Sequence, residues 1–247
     1  MRLTRSIVPN LFTLVNLFMG FTAIVYISQG EIVKGSVFVL IAGIFDMLDG
    51  VVARFLNATS EFGMELDSLC DAVSFGIVPG FMLYKVFFYQ YNELGILLAA
   101  FPVLAGISRL ARFNAQLTSF DDKQYFIGLP IPSGAFLIIS YIIFYHLPGK
   151  IDKQYSDIIM FVISLGTSIV MISRVKFLNM PRPTPKSIKE KPIIFTIFVI
   201  GLIASIVTKG MFIFPFMLFY VVGSVVIYYY NLIKERYSMP IDDDEFD

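Results

Sequence analysis

Four aspartates, Asp46, Asp49, Asp67 and Asp71, lie in otherwise apolar stretches of the chain. Asp46 and Asp49 are three residues apart and Asp67 and Asp71 four, so on helices each pair shares one face. The segment Phe55–Phe62 between them can turn the chain, and two antiparallel helices would then aim both pairs into one cleft. An Asp at the middle of a membrane helix costs about 2.5–3.5 kcal/mol before mutual repulsion is counted. Arg54 alone lies close in sequence, and one guanidinium does not neutralise four carboxylates. Hard divalent cations with oxygen ligands do, and carboxylates suit Mg2+ or Mn2+. Four aspartates carry enough oxygens for two such ions a few ångströms apart, the arrangement used in phosphoryl-type displacement. Gly50 follows Asp46 by four and Ala53 follows Asp49 by four, which leaves a shallow groove where a bulky group could approach the backbone. Close helix packing through small residues is the alternative reading of that pair.

The elements that must position these groups are membrane helices. The 247 residues are 57% hydrophobic and 15% charged, whereas soluble domains run near 45–50% and about 25%. The mean hydropathy is +0.76. This composition excludes a soluble globular enzyme, a disordered chain and a disulfide scaffold. Cys70 has no second cysteine to pair with, and the single His146 does not build a zinc site. The formal net charge is zero and no nucleic-acid partner is expected. Runs long enough to cross a bilayer core of ~30 Å fall at about 10–28, 32–56, 64–90, 94–115, 130–147, 154–172, 192–208 and 210–231. They lack the ten-residue alternation of barrel strands, so helices are expected. With the N-terminus placed in the cytoplasm, 14 of the 19 basic residues fall on the cytoplasmic side. Both termini and the aspartates then face the cytoplasm. Residues 179–191, with Pro181, Pro183, Pro185 and four basic side chains, read as a cytoplasmic linker that touches anionic membrane lipid or simply stops transfer. It divides a membrane domain, 1–178, from two further helices, 192–233, and an acidic cytoplasmic tail, 234–247.

The string Asp46-x2-Asp49-Gly50-x2-Ala53-Arg54-x8-Gly63-x3-Asp67-x3-Asp71 resembles the signature of the CDP-alcohol phosphatidyltransferase family at every defined position. The resemblance implies an all-α integral membrane fold with a six-helix core over about residues 5–175, usually a homodimer; the two C-terminal helices lie outside it. Carried over position by position, Asp46, Asp49 and Asp67 would ligate metal, two Mg2+ or Mn2+ ions in all. Asp71 would also touch a metal and act as general base. Gly50, Arg54 and Ser60 would contact the CDP-lipid, with Ala53 in the groove beside them. Asn10 and Thr13, in a Pro-Asn-x-x-Thr start similar to the family's, would line the nucleotide side. The implied reaction is attack by an alcohol on the lipid-linked phosphorus of CDP-diacylglycerol, releasing CMP.

Four more stretches, PNLFTLVNLFMGF (9–21), EFGMELDSLCDAVSFGIVP (61–79), RLARFN (109–114) and GLPIPS (128–133), resemble the branch of that family whose acceptor is L-serine, in its integral-membrane form. A serine carboxylate calls for a planar guanidinium, and Arg109 and Arg112, three apart, offer two. Anchoring by snorkelling is another reading of both, and binding of the lipid phosphate, by Arg112 with Asn114, is a third. Glycerol phosphate, inositol phosphate or choline are alternative acceptors. Intramembrane prenyl transfer also sets aspartates around a metal-bound diphosphate but does not require Gly50, Ala53 and Arg54. A divalent-cation transporter would spread its acidic residues through the membrane depth rather than gather them at one side.

Overall fold

The structure, a computed structural model, describes residues 2–115, 125–178 and 192–238. The expected linker at 179–191 and the acidic residues beyond 238 lie outside the described residues. Eight helices stand among those described: α1 (Arg2–Ser28), α2 (Ile32–Phe55), α3 (Glu61–Val86), α4 (Asn92–Ala115), α5 (Ile131–His146), α6 (Lys153–Ile172), α7 (Pro192–Val207) and α8 (Ile213–Ser238). Six are long and apolar enough to cross a membrane, while α5 and the apolar part of α7, Phe195–Val207, are shorter. At 1.5 Å per residue α5 reaches only about 24 Å. The polarity is inverted relative to a soluble protein. Phe18, Phe21 and Phe219 are exposed, while Thr13, Asn16, Asp49, Asp71 and Arg109 are buried. The chain is a multi-pass integral membrane protein of all-α class.

The first two helices are paired by a seam legible in the sequence. On α1 the buried positions are Pro9, Thr13, Asn16, Gly20, Ala23 and Ile27, spaced alternately by four and three. On α2, Gly35, Val39, Ala42 and Asp49 follow the same rhythm, with Asp46 between the last two. A repeat averaging 3.5 residues keeps one stripe of each helix against its neighbour along their whole length. Gly30, at φ +84, closes the tight turn that makes the two helices antiparallel.

Helix α3 has a break in its middle. It is α-helical to Asp71, opens into a π segment at Ala72–Ile77, and resumes as α-helix from Val78. Pro79 brings no N–H to this region, and the Val78 N–H bonds five residues back to the Val73 carbonyl. Just beyond Asp71, α3 lies against α1. The Ser74 hydroxyl donates to the Asn16 carbonyl at 3.1 Å, and a Cβ on Gly20 would stand 2.3 Å from Ser74 Oγ. Only glycine admits that approach.

Two three-residue strands, β1 (Tyr125–Ile127) and β2 (Lys176–Leu178), pair antiparallel with Phe126 opposite Phe177. They join the chain before α5 to the chain after α6, at the aspartate end of the bundle. The other end is closed by aromatic packing, as between Phe87 and Phe161 with ring centroids at 5.5 Å. His146 belongs there: its Nδ1 is 2.8 Å from Ser156 Oγ, which is 2.9 Å from the Tyr141 hydroxyl. Cys70 is buried in the core. Helix α8 packs on α5 and β2, and α7 meets it where Phe216 covers Gly201.

Candidate metal and phosphate site

Three helices converge on the four carboxylates. α2 contributes Asp46 and Asp49 from its buried seam, α3 contributes Asp67 and Asp71 from its first three turns, and α1 supplies the polar side chains facing them. One oxygen each of Asp46, Asp49 and Asp67 lie within 4.8 Å of one another. The Asp46 carboxyl is also within hydrogen-bonding reach of those of Asp67 and Asp71. Asp49 and Asp71 are 7% and 8% exposed. An ion pair, Lys34–Glu31, stands at the other end of α2, and Arg54 does not come within ion-pair distance of any of the four. Asp67 Oδ1 is buried without a hydrogen-bond partner.

Such a cluster fits a hard divalent cation. Opposing oxygens across a Mg2+ ion stand about 4.2 Å apart at its 2.0–2.1 Å bond length. A 4.8 Å spread needs only small side-chain adjustment to reach that. The buried, partnerless Asp67 oxygen is the kind of acceptor such an ion satisfies.

Hydrogen bonds from α1 orient the carboxylates from behind. Thr13 Oγ1 is 2.7 Å from Asp49 Oδ2 and 3.1 Å from the Pro9 carbonyl, so its one proton has two acceptors and the shorter contact is to the carboxylate. Asn16 Nδ2 donates to Asp71 Oδ1 at 3.2 Å. Asn16 is fully buried and its Oδ1 is unpaired. Sequence reasoning about function passed over Asn16. An asparagine on the buried stripe, three residues after Thr13, was the signal that could have found it.

In front of the carboxylates an open cleft of about 190 Å³ is lined by Pro9, Asn10, Thr13, Asp49, Gly50, Ala53, Arg54, Ser60, Gly63 and Asp67, among others. Thus Asn10, Thr13, Gly50, Ala53, Arg54 and Ser60, singled out from the sequence, all meet at one opening beside the aspartates. Ser60 is also the N-cap of α3, accepting from the Gly63 N–H at 3.1 Å. The turn before it passes through Asn57 at φ +48, a conformation asparagine tolerates better than most residues. Across the cleft a Cβ on Gly63 would lie 3.1 Å from Ser60 Oγ and 3.2 Å from Asn10 Oδ1. Glycine there lets α1 and the start of α3 close up. At Gly50 a Cβ would meet the Arg54 guanidinium at 3.4 Å, so that side chain lies along the groove.

The two arginines of α4 have different surroundings. Arg112 is bound to backbone: Nη1 donates to the Ile172 carbonyl at 2.7 Å, and Nη2 lies within 3.2–3.3 Å of the carbonyls of Ile127, Met171 and Ser173. It caps the C-terminus of α6, where carbonyls lack helical partners and the dipole favours a cation. Arg109 is 5% exposed, and its Nε and Nη2 have no hydrogen-bond partner. Its guanidinium carbon stands 5.4 Å from the ring centroids of both Phe113 and Phe126, and Asp71 is among its charged neighbours. The Asn114 amide donates to Ser68 Oγ at 3.0 Å and Glu65 Oε2 at 3.3 Å, tying α4 to α3.

Comparison with known proteins places the sequence in a family. A family model described as CDP-alcohol phosphatidyltransferase matches residues 6–170. The Helicobacter pylori protein named CDP-diacylglycerol–serine O-phosphatidyltransferase is 38% identical over 175 residues, covering 69% of this chain and 71% of its own length. The Bacillus subtilis protein of the same name is 33% identical over 171 residues, with 69% and 89% covered. An archaetidylserine synthase of Methanothermobacter thermautotrophicus is 34% identical over 171 residues, with 68% of each chain covered.

Proposed function

Because the chain belongs to the CDP-alcohol phosphatidyltransferase family, we propose that it transfers the phosphatidyl group of CDP-diacylglycerol to the hydroxyl of L-serine, giving phosphatidylserine and CMP. The observation that carries the reading is the convergence of four carboxylates with no ion-pair partner among the described residues, one buried Asp67 oxygen having no hydrogen-bond partner either, on a cleft edged by Arg54. Asp46, Asp49 and Asp67, with Asp71 beside them, would hold divalent ions, Mg2+ or Mn2+. When bound, these screen the pyrophosphate and stabilise charge on the departing CMP.

The chain's own groups divide the remaining work. Arg54 lies along the Gly50–Ala53 groove and neutralises pyrophosphate charge, Ser60 contacts the CDP-lipid beside it, and Asn10 and Thr13 line the nucleotide side. Asp71 takes the proton of the serine hydroxyl. The serine oxygen then bonds to the lipid-linked phosphorus as the bond from that phosphorus to the CMP oxygen breaks, and CMP leaves with the electron pair. Asn16 holds one Asp71 oxygen by its amide, which orients the other toward the acceptor. For the serine carboxylate, the buried Arg109 with its unpaired N–H groups suits better than Arg112, whose guanidinium is engaged by four carbonyls. The basic bias of the loops favours a cytoplasmic position for the cleft.

The test is CMP release from CDP-diacylglycerol by purified protein in detergent with Mn2+ or Mg2+, offering serine, glycerol phosphate, inositol phosphate and choline singly. Stimulation by serine alone is expected. Stimulation by a different alcohol would overturn the acceptor assignment, and no release from folded protein with any of them would overturn the reaction.

A further inference from the structure

Helix α8 lies beyond the 6–170 segment matched by the family model, yet one of its side chains reaches the surroundings of Arg109. The connection runs through the small sheet. Residues directly opposite in an antiparallel pair project to the same face, and Phe126 is opposite Phe177. Phe126 stands against the Arg109 guanidinium. Phe177, fully buried, meets the Tyr220 ring with centroids at 5.6 Å. Tyr220 and Arg109 are also electrostatic neighbours. Arg109 thus has Asp71 of α3 and Tyr220 of α8 as neighbours, with Phe113 and Phe126 against the guanidinium.

We propose that Tyr220 is a positioning residue for Arg109, so that α8 helps to shape the acceptor pocket rather than serving only as an added membrane span. The physical need is plain. A long side chain with two unpaired N–H groups has rotamer freedom to lose, and an acceptor carboxylate is gripped bidentately only if the fork is already aimed. Aromatic surfaces restrict the guanidinium without competing for its protons. Tyr220 braces that arrangement from outside, through Phe177 and through its own dipole.

This rests on the transferase reading and is tested by acceptor kinetics of the full-length protein. Tyr220→Ala is expected to raise the KM for serine about tenfold, since that factor corresponds to ~1.4 kcal/mol of lost grip. The KM for CDP-diacylglycerol should move less than twofold. Tyr220→Phe keeps the ring against Phe177 and should recover most of the loss. Phe219→Ala, at a neighbouring lipid-facing position 70% exposed, should leave both constants unchanged. If Tyr220→Ala does not fold, Tyr220→Leu takes its place, with the same expected split. An unmoved KM for serine in these folded variants, or equal rises for both substrates, overturns the proposal. If another alcohol drives the wild type, the same comparison is made on its KM and decides the matter in the same way. A wild type inert toward every acceptor overturns the transferase reading, and this inference with it.

Discussion

Asn16→Leu should separate activity from stability. In the folded protein the Asn16 amide makes a 3.2 Å bond to Asp71, while its carbonyl oxygen is buried without a partner. A hydrogen bond to a charged group contributes about 1.5–3 kcal/mol. If it acts by aiming the Asp71 oxygen at the acceptor, its loss falls on the chemical step and lowers kcat by roughly 10- to 150-fold. The effect on stability is smaller: interhelical hydrogen bonds in membranes average about 0.6 kcal/mol. Against that loss, leucine keeps the branched outline of asparagine, with two methyl groups in place of the amide oxygen and nitrogen, and removes an unsatisfied carbonyl. The Ser74 hydroxyl bonds to the backbone of residue 16, so that tie survives the substitution. The assay is CMP release at saturating serine and CDP-diacylglycerol, set beside a thermal melt in the same detergent. A kcat within twofold of wild type would refute the aiming role. A fall in melting temperature as large as that of a core truncation would show that Asn16 is a packing residue.

Asp71→Asn should abolish CMP release while CDP-diacylglycerol binding, measured by direct titration, stays within threefold; substantial turnover would remove Asp71 as the base. Arg109→Ala and Arg112→Ala should fail in different ways. The first should raise the KM for serine at least tenfold with little change in melting. The second, losing its bonds to the α6 terminus, should destabilise the protein by about 2–3 kcal/mol with serine kinetics unchanged in the folded fraction. A reversed pattern in these assays would reassign the two residues. Thr13→Val removes the 2.7 Å bond behind Asp49 and should raise the Mn2+ concentration for half-maximal activity by roughly 10-fold or more, the usual cost of losing a hydrogen bond behind a metal ligand. An unchanged metal titration would show that Thr13 does not orient that ligand.

Much of the fold was legible because the membrane forces simple answers. Apolar runs mark helices, and the carboxylates stand out against them at spacings of three and four. The seam through Pro9, Thr13, Asn16, Gly20 and Ala23 was equally present in the sequence, but a stripe is informative only once a partner stripe is known. Helix edges differ from the expected ones by up to eight residues, since the helix continues past the apolar run at Arg2 and at Ser238, and the expected start at 64 becomes Glu61 because Ser60 caps α3. The contrast between Arg109 and Arg112 was not legible. The two sit three apart on the same helix, and what distinguishes them arrives from elsewhere in the chain. The α6 terminus at Met171–Ser173 takes one, and Phe126 on a three-residue strand flanks the other. Strands that short leave no periodic signal.

The seam between α1 and α2 changes character along its length, and this predicts how metal removal acts. Toward the Gly30 turn it is built from Gly20, Ala23, Ile27, Gly35, Val39 and Ala42, residues that bring membrane helices together by close packing. Toward the cleft it carries Thr13, Asn16, Asp46 and Asp49, where four nearby carboxylates repel one another unless a cation intervenes. Chelation should therefore loosen the cleft end and leave the turn end intact. A metal at 100 times its dissociation constant stabilises by about 2.7 kcal/mol, which a thermal melt with Mn2+ against one with EDTA resolves. Hydrogen exchange should rise in EDTA at Asp46–Arg54 and Ser60–Asp71, with protection held at Ala23–Val39. Equal melting with and without Mn2+ at concentrations that saturate activity would mean the carboxylates are balanced without a cation. Loss of protection along the whole seam would mean that small-residue packing alone does not hold these helices together.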